Sequence, residues 1–239
     1  MDKKHGQTTG AAARIAALCF GIQAVGIGAY VSFGVFFNPL MSTFGWPRAG
    51  ISGASSVAFF ISGLFAIYVG RISDRVGPKT IMTITAFFLG AGLMLMSGIS
   101  ALWQLYLVFG LIFGFGLSSV DVIALSTIAR WFPEKRGFVT GMVKVGTGAG
   151  QMIFPAFASL LIAGVGWQKA GLILGFCCMV LLTLIARGLK NNPDYESEYP
   201  NVSGRSDTAA TVQAGMDFSQ AAKTYQLWLV CLINMIILS

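Results

Sequence analysis

The stretch GRISDRVGPK, residues 70–79, places the charges of Arg71, Asp74, Arg75 and Lys79 between two apolar runs. Charge is scarce elsewhere, because only 10% of the 239 residues are charged whereas 55% are hydrophobic. A soluble globular chain carries charge on about a quarter of its residues. The composition therefore indicates a chain dissolved in lipid, with this charged cluster in a loop between two membrane spans.

Six apolar runs are long enough to be membrane spans, since about 20 helical residues cross the hydrocarbon core. Lipid cannot form hydrogen bonds with the backbone, so each run is predicted to be a helix, which pairs its own backbone groups. The predicted fold class is therefore an all-α membrane protein. The six runs cover approximately residues 15–40, 51–70, 80–99, 102–128, 139–164 and 169–188.

The chain is predicted to divide into four parts. Residues 1–13 form an N-terminal tail, 14–190 a six-helix bundle and 191–225 a polar linker. A seventh apolar run, 226–239, has only 14 residues, too few to cross the membrane. We therefore expect a truncated chain.

The basic residues predict the orientation of the bundle. With the N-terminus inside, 13 of the 16 Lys and Arg residues lie on the inner side. Only Arg48 and Lys169 lie outside, and Lys144 is within a span. This bias predicts a cytoplasmic N-terminus. It also accounts for the net charge of +7, so no nucleic-acid partner is expected. The inner residues are Lys3, Lys4, Arg14, Arg71, Arg75, Lys79, Arg130, Lys135, Arg136, Arg187, Lys190, Arg205 and Lys223.

Residues for enzymatic or metal chemistry are scarce. The single histidine, His5, lies in the polar tail, and the four cysteines lie within apolar runs without CxxC spacing. A membrane enzyme would need a nucleophile with its base, or a metal site, inside the spans. We therefore expect no catalytic residues, no metal site and no cofactor.

The charged loop resembles a motif of the major facilitator superfamily. Gly70, Asp74, Arg75, Gly77 and Lys79 match in order the pattern of the loop between that family's second and third spans. The resemblance implies the N-terminal half of a twelve-helix transporter. It also implies a conformational-switch loop, whose Asp contacts the second half and steadies the outward-facing state. The missing half, or a second copy of the chain, is then an expected partner. A solvated positive-inside loop is the alternative.

The local chemistry of the loop gives four further expectations. Gly70 is expected to end the second span, and Asp74 to lie at a helix N-terminus, where the helix dipole favours an anion. Gly77 is expected to take a positive φ in a tight turn, and Pro78 to open the next helix.

Two longer stretches resemble a narrower group within the superfamily. Residues 28–52 and 130–155 are similar to bacterial monocarboxylate porters and oxalate/formate antiporters. The resemblance implies a symporter or antiporter of small organic anions in the bacterial inner membrane. The related animal monocarboxylate carriers have a lysine in their first span. This chain lacks it, because no charge lies between Arg14 and Arg48. Their specific substrates are therefore not carried over. The fifth span of this chain resembles the glycine-rich fifth span of the superfamily through Gly141, Gly146, Gly148, Gly150 and Pro155.

Asp121 and Lys144 are the carboxylate and the amine placed well within the apolar runs. Each lies about 12–14 Å from the charges of the loop that joins spans four and five. We expect an ion pair that binds an anion through Lys144 and moves a proton through Asp121. The alternatives are a pair that only fixes helix packing, and a Lys144 side chain that snorkels to the inner surface. Weaker cavity candidates are Gln23, Tyr30, Asn38, Ser118, Ser119 and Gln151.

The function predicted from these features is secondary active transport of small organic anions by alternating access, with or without coupling to protons. A non-transporting sensor or assembly subunit on the same fold is the alternative. A membrane enzyme is disfavoured by the residues described above.

Overall fold

A computed structural model describes residues 2–133 and 135–189 of the chain. Every regular element in these ranges is helical. The predicted linker, 191–225, and the predicted seventh run, 226–239, lie outside the described residues. Within them, six helical segments are long and apolar enough to span a membrane. These are span 1 (Ala12–Phe44), span 2 (Arg48–Val76), span 3 (Pro78–Gly98), span 4 (Leu102–Trp131), span 5 (Arg136–Val165) and span 6 (Trp167–Gly188).

Three of the spans change their helical form along their length. Span 1 joins α-helix Asp2–Ser32, 3₁₀-helix Phe33–Phe36 and α-helix Phe37–Phe44, and its helix extends back through the predicted tail. Span 3 joins α-helix Pro78–Leu95 to 3₁₀-helix Met96–Gly98. Span 4 joins α-helix Leu102–Leu105, π-helix Tyr106–Phe113 and α-helix Gly114–Trp131. Spans 2, 5 and 6 are single α-helices.

The turn between spans 2 and 3 confirms two of the local predictions. Gly77 has φ +95°, and Pro78 is the first residue of the next helix. Gly70 does not end span 2, because the helix continues through Val76. Asp74 therefore lies near a helix C-terminus, contrary to the expectation of an N-terminus. The prediction was wrong because the apolar pattern stops at the membrane surface, whereas the backbone hydrogen bonds continue into the charged segment.

Span 1 packs against spans 4, 5 and 6, while span 2 packs mainly against span 4. Span 3 completes the bundle between spans 4 and 6. Aromatic rings fill the contact between spans 1 and 4, where Phe33 stacks on Phe109 with 3.8 Å between ring centroids. Spans 2 and 5 leave most of their surface outside the bundle, since only 17% and 11% of their most apolar windows are buried.

Glycines set the separation of spans 1 and 5. A Cβ atom on Gly146 would lie 2.5 Å from the carbonyl oxygen of Phe20, and one on Gly150 would lie 2.0 Å from that of Ala24. The two backbones touch at successive turns because neither glycine has a side chain. Gly141 and Gly148 instead face open space, with no heavy atom within 4 Å of the added Cβ. The glycine-rich stretch is thus close-packed on one face only.

Candidate functional site

Asp121 and Lys144 meet in an ion pair between spans 4 and 5, with Nζ of Lys144 donating to Oδ1 of Asp121. The same Oδ1 accepts a hydrogen bond from Nε2 of Gln23 at 2.8 Å. The other end of the Gln23 amide, Oε1, accepts a hydrogen bond from Oγ1 of Thr147 at 3.0 Å. We call these four residues the polar network; it connects spans 1, 4 and 5.

Exposure divides the polar network into an open side and a closed side. The side chains of Asp121 and Lys144 are 52% and 43% exposed in the bundle. Gln23 is completely buried. The ion pair therefore lies on an uncovered face of the bundle, and Gln23 anchors it to the interior.

The ion pair depends on span 1 as well as on the loop between spans 4 and 5. Those two spans touch each other little, and both pack against span 1. Gln23 is placed between them because the small residues of span 1 approach span 5 closely, as at Ala24 and Gly150. The packing of span 1 thus determines where Asp121 and Lys144 meet.

Gln23, one of the six weaker candidates, belongs to the polar network, whereas the other five are dispersed. Tyr30 donates to the carbonyl of Ser55 at 3.4 Å, and Asn38 and Gln151 are exposed outside the polar network. Ser118 donates to the carbonyl of Phe115 within its own helix. Such local bonding is the usual state of a serine in a helix. Ser119 bonds to the hydroxyl of Thr85 at 2.6 Å, deep between spans 3 and 4.

The charged loop carries a second ion pair. Asp74, in the last turn of its helix, accepts a hydrogen bond from Nη2 of Arg130, which lies near the C-terminal end of span 4. An anion near a helix C-terminus is disfavoured by the helix dipole, and the guanidinium offsets that effect. Asp74 is 66% exposed, so solvent screens the pair and its net contribution to stability is small. The loop residues Arg75 and Lys79 are exposed.

Comparison with known families identifies the group to which the bundle belongs. The sequence model of the Major Facilitator Superfamily matches residues 17–239. The chain belongs to this superfamily. It is accordingly an integral multi-pass membrane protein with the major facilitator fold, as the loop motif and the six spans predicted.

Individual relatives resemble this superfamily member at low to moderate identity. MFS-type transporter 1 of Ophiocordyceps sp. (strain BCC 1869) is 34% identical over 59% of this chain and 31% of its own length. Human monocarboxylate transporter 11 is 28% identical over 73% of this chain and 38% of its own. The oxalate:formate antiporter of Oxalobacter formigenes is 27% identical over 85% of this chain and 46% of its own. The chain thus spans less than half the length of these curated relatives.

Thr147 is the member of the polar network that sequence reasoning missed. It lies three residues, about one helical turn, beyond Lys144 in span 5. A hydroxyl one turn from an intramembrane charge lies on a neighbouring part of the same helix surface. That spacing was the available signal, whereas the partner, Gln23, lies 124 residues away.

Proposed function

We propose that this superfamily member carries small organic anions of the monocarboxylate class across the membrane by alternating access. Its relatives include proteins named for monocarboxylate transport and for oxalate:formate exchange. The observation that carries the proposal is the half-exposed Asp121–Lys144 ion pair within the spans. A charge at membrane depth costs at least about 2.5 kcal/mol, so it is typical of a substrate or ion pathway.

In the proposed mechanism, Lys144 binds the carboxylate of the substrate and Asp121 binds a proton. The free site contains one negative and one positive group and is neutral. When a monoanion displaces Asp121 from Lys144 and Asp121 takes a proton from the aqueous cavity, the loaded site is neutral again. Neutrality in both states favours crossing the low-dielectric membrane interior, because no net charge is moved there. The stoichiometry expected is one proton for each monoanion.

We further propose that the uncovered faces of spans 2 and 5 contact a second bundle, either another half of the same protein or a second copy. The substrate would then lie between the two bundles, as in transporters built from structural repeats. The loop of residues 70–79 would act as the switch, with Asp74 exchanging its contact with Arg130 for one with the second bundle.

The test is uptake of labelled lactate, formate and oxalate into proteoliposomes by the protein expressed from its whole reading frame. Lys144→Ala is expected to lower uptake roughly tenfold or more, because a charge-assisted hydrogen bond contributes about 1.5–3 kcal/mol. The side chain in Asp121→Asn cannot gain or lose a proton, so a pH gradient should no longer accelerate anion uptake by this variant. Lys169→Ala, an exposed cation at the outer end of span 6, is the matched control.

Wild-type uptake together with near-wild-type activity of both variants would show that the pair only fixes helix packing. Binding of the anions to wild-type protein without uptake or exchange would instead favour the sensor. Either result overturns the proposed mechanism.

A further inference from the structure

Gln23 occupies an unusual position for a polar side chain in a membrane span. It is fully buried, and both ends of its amide are bonded to side chains of other spans. The amide nitrogen donates to Asp121 at 2.8 Å, and the amide oxygen accepts from Thr147 at 3.0 Å. Gln23 therefore contacts the reacting carboxylate while it remains outside the exposed face that a substrate would reach.

The hydrogen bonds of these three side chains are reversible in direction. A glutamine amide presents donors at one end and an acceptor at the other, and a threonine hydroxyl can donate or accept. With Asp121 ionised, the amide presents its N–H to the carboxylate and Thr147 donates. With Asp121 protonated, the same amide turned by 180° accepts a hydrogen bond from the carboxylic O–H through its oxygen and donates an N–H to the Thr147 hydroxyl. In both states the oxygen of the Gln23 amide and one of its N–H groups have a hydrogen-bond partner.

We propose that Gln23 is a positioning residue that allows Asp121 to change protonation during transport without losing its hydrogen-bond partner. The inference rests on the proposed function. In the forward step Lys144 moves from Asp121 to the substrate carboxylate, and a proton from the aqueous cavity bonds to Oδ1 of Asp121. The Gln23 amide then turns over and the Thr147 hydroxyl reverses. Release of the anion and of that proton restores the ion pair and the original direction of the bonds.

Other charges stand farther from Asp121 than Lys144 does. Span 2 brings Arg71 to a similar depth, because Gly70 packs beside Val122. Arg71 is exposed, and its guanidinium forms no ion pair with Asp121. Asp74, Arg75 and Lys79 lie toward the inner end of spans 2 and 3, and Arg130 lies nine residues from Asp121 along span 4. Lys144 is thus the charged group whose departure exposes Asp121 to protonation.

The experiment compares two transport modes of Gln23→Met in proteoliposomes, using labelled lactate, formate and oxalate with the protein expressed from its whole reading frame. Net uptake driven by a pH gradient requires Asp121 to gain and lose a proton in every cycle. Exchange of labelled for unlabelled anion at equal pH lets the proton stay bound.

Methionine preserves the length of the side chain but removes both hydrogen bonds. We expect net uptake to fall about fivefold or more, for the loss of at least one buried hydrogen bond, and exchange to stay within about twofold of wild type.

Thr147→Val is expected to lower the ratio of net uptake to exchange, as Gln23→Met does. Thr147→Ser is expected to restore that ratio, because serine keeps the hydroxyl. Gln168→Met is the matched control, since it makes the same change at an exposed position at the outer end of span 6. Equal losses of net uptake and of exchange in Gln23→Met would mean that the residue only packs the helices, and would overturn the inference. If Gln23→Met does not fold, the same result in Thr147→Val would overturn it. Unchanged net uptake in both variants would also overturn it while the proposed function stands. Wild-type protein that lacks both modes overturns the proposed function and the inference with it.

Discussion

Two threonines in the core differ in whether their hydroxyl groups have a partner. Thr127, in span 4, is 3% exposed, and its Oγ1 has no hydrogen-bond partner among the described residues. Thr85, in span 3, is 1% exposed, and its hydroxyl bonds to Ser119 and to its own helix. A buried hydroxyl without a partner loses its hydration without compensation.

We therefore expect opposite effects from the same substitution at these two positions. Thr127→Val should raise the free energy of unfolding by up to about 1 kcal/mol, because it removes an unpaired buried hydroxyl. Thr85→Val should lower it by about 1–2 kcal/mol, because it leaves Ser119 without that partner. Thermal unfolding of the purified protein in detergent measures both changes. A destabilised Thr127→Val protein would mean that the hydroxyl has a partner in the membrane.

At the scale of elements, the contact between spans 1 and 5 depends on which face of span 5 a glycine occupies. Gly150→Ala should destabilise the protein by about 1–3 kcal/mol, because its Cβ would lie 2.0 Å from the carbonyl oxygen of Ala24. Gly148→Ala is the matched control two residues away. Its Cβ meets no atom within 4 Å, and alanine is the better helix former by about 1 kcal/mol.

Unfolding midpoints of the two alanine variants in the same detergent test this assignment. Gly150→Ala should unfold at a lower temperature than wild type, and Gly148→Ala at the same temperature or higher. Equal midpoints for the two variants would contradict the packing of span 5 against span 1.

The elements themselves were largely predictable, whereas their rotation was not. All six spans follow from the length of the apolar runs, because helices satisfy the backbone within a lipid. The ends were less accurate, as at Asp74, because a helix can continue into a polar segment outside the hydrocarbon. The sequence alone does not say that Gly146 and Gly150, rather than Gly141 and Gly148, face span 1. That rotation brings Thr147 to Gln23, and it depends on contacts between residues more than 100 positions apart.

At the scale of the whole molecule, the two ion pairs occupy different depths of the bundle. Asp74–Arg130 joins the C-terminal ends of spans 2 and 4, and Asp121–Lys144 joins spans 4 and 5 nine residues farther from that end of span 4. Span 4 contributes to both pairs, and its helix Gly114–Trp131 runs between them without a break. Motion of span 4 relative to spans 2 and 5 would therefore affect both pairs together.

The orientation of the whole bundle is a prediction of its basic residues, and it can be tested on the molecule in its native membrane. Lys135, in the loop between spans 4 and 5, and Lys169, at the start of span 6, are both exposed and lie at opposite ends of span 5. With the N-terminus inside, a membrane-impermeant maleimide should label Lys169→Cys in intact cells, and Lys135→Cys only after permeabilisation. The unsubstituted chain reports labelling of its own four cysteines, of which Cys19 and Cys178 are buried in the core. Labelling of Lys135→Cys in intact cells would reverse the orientation. It would also place the Asp74–Arg130 end of the bundle outside, because that ion pair lies at the same end as Lys135.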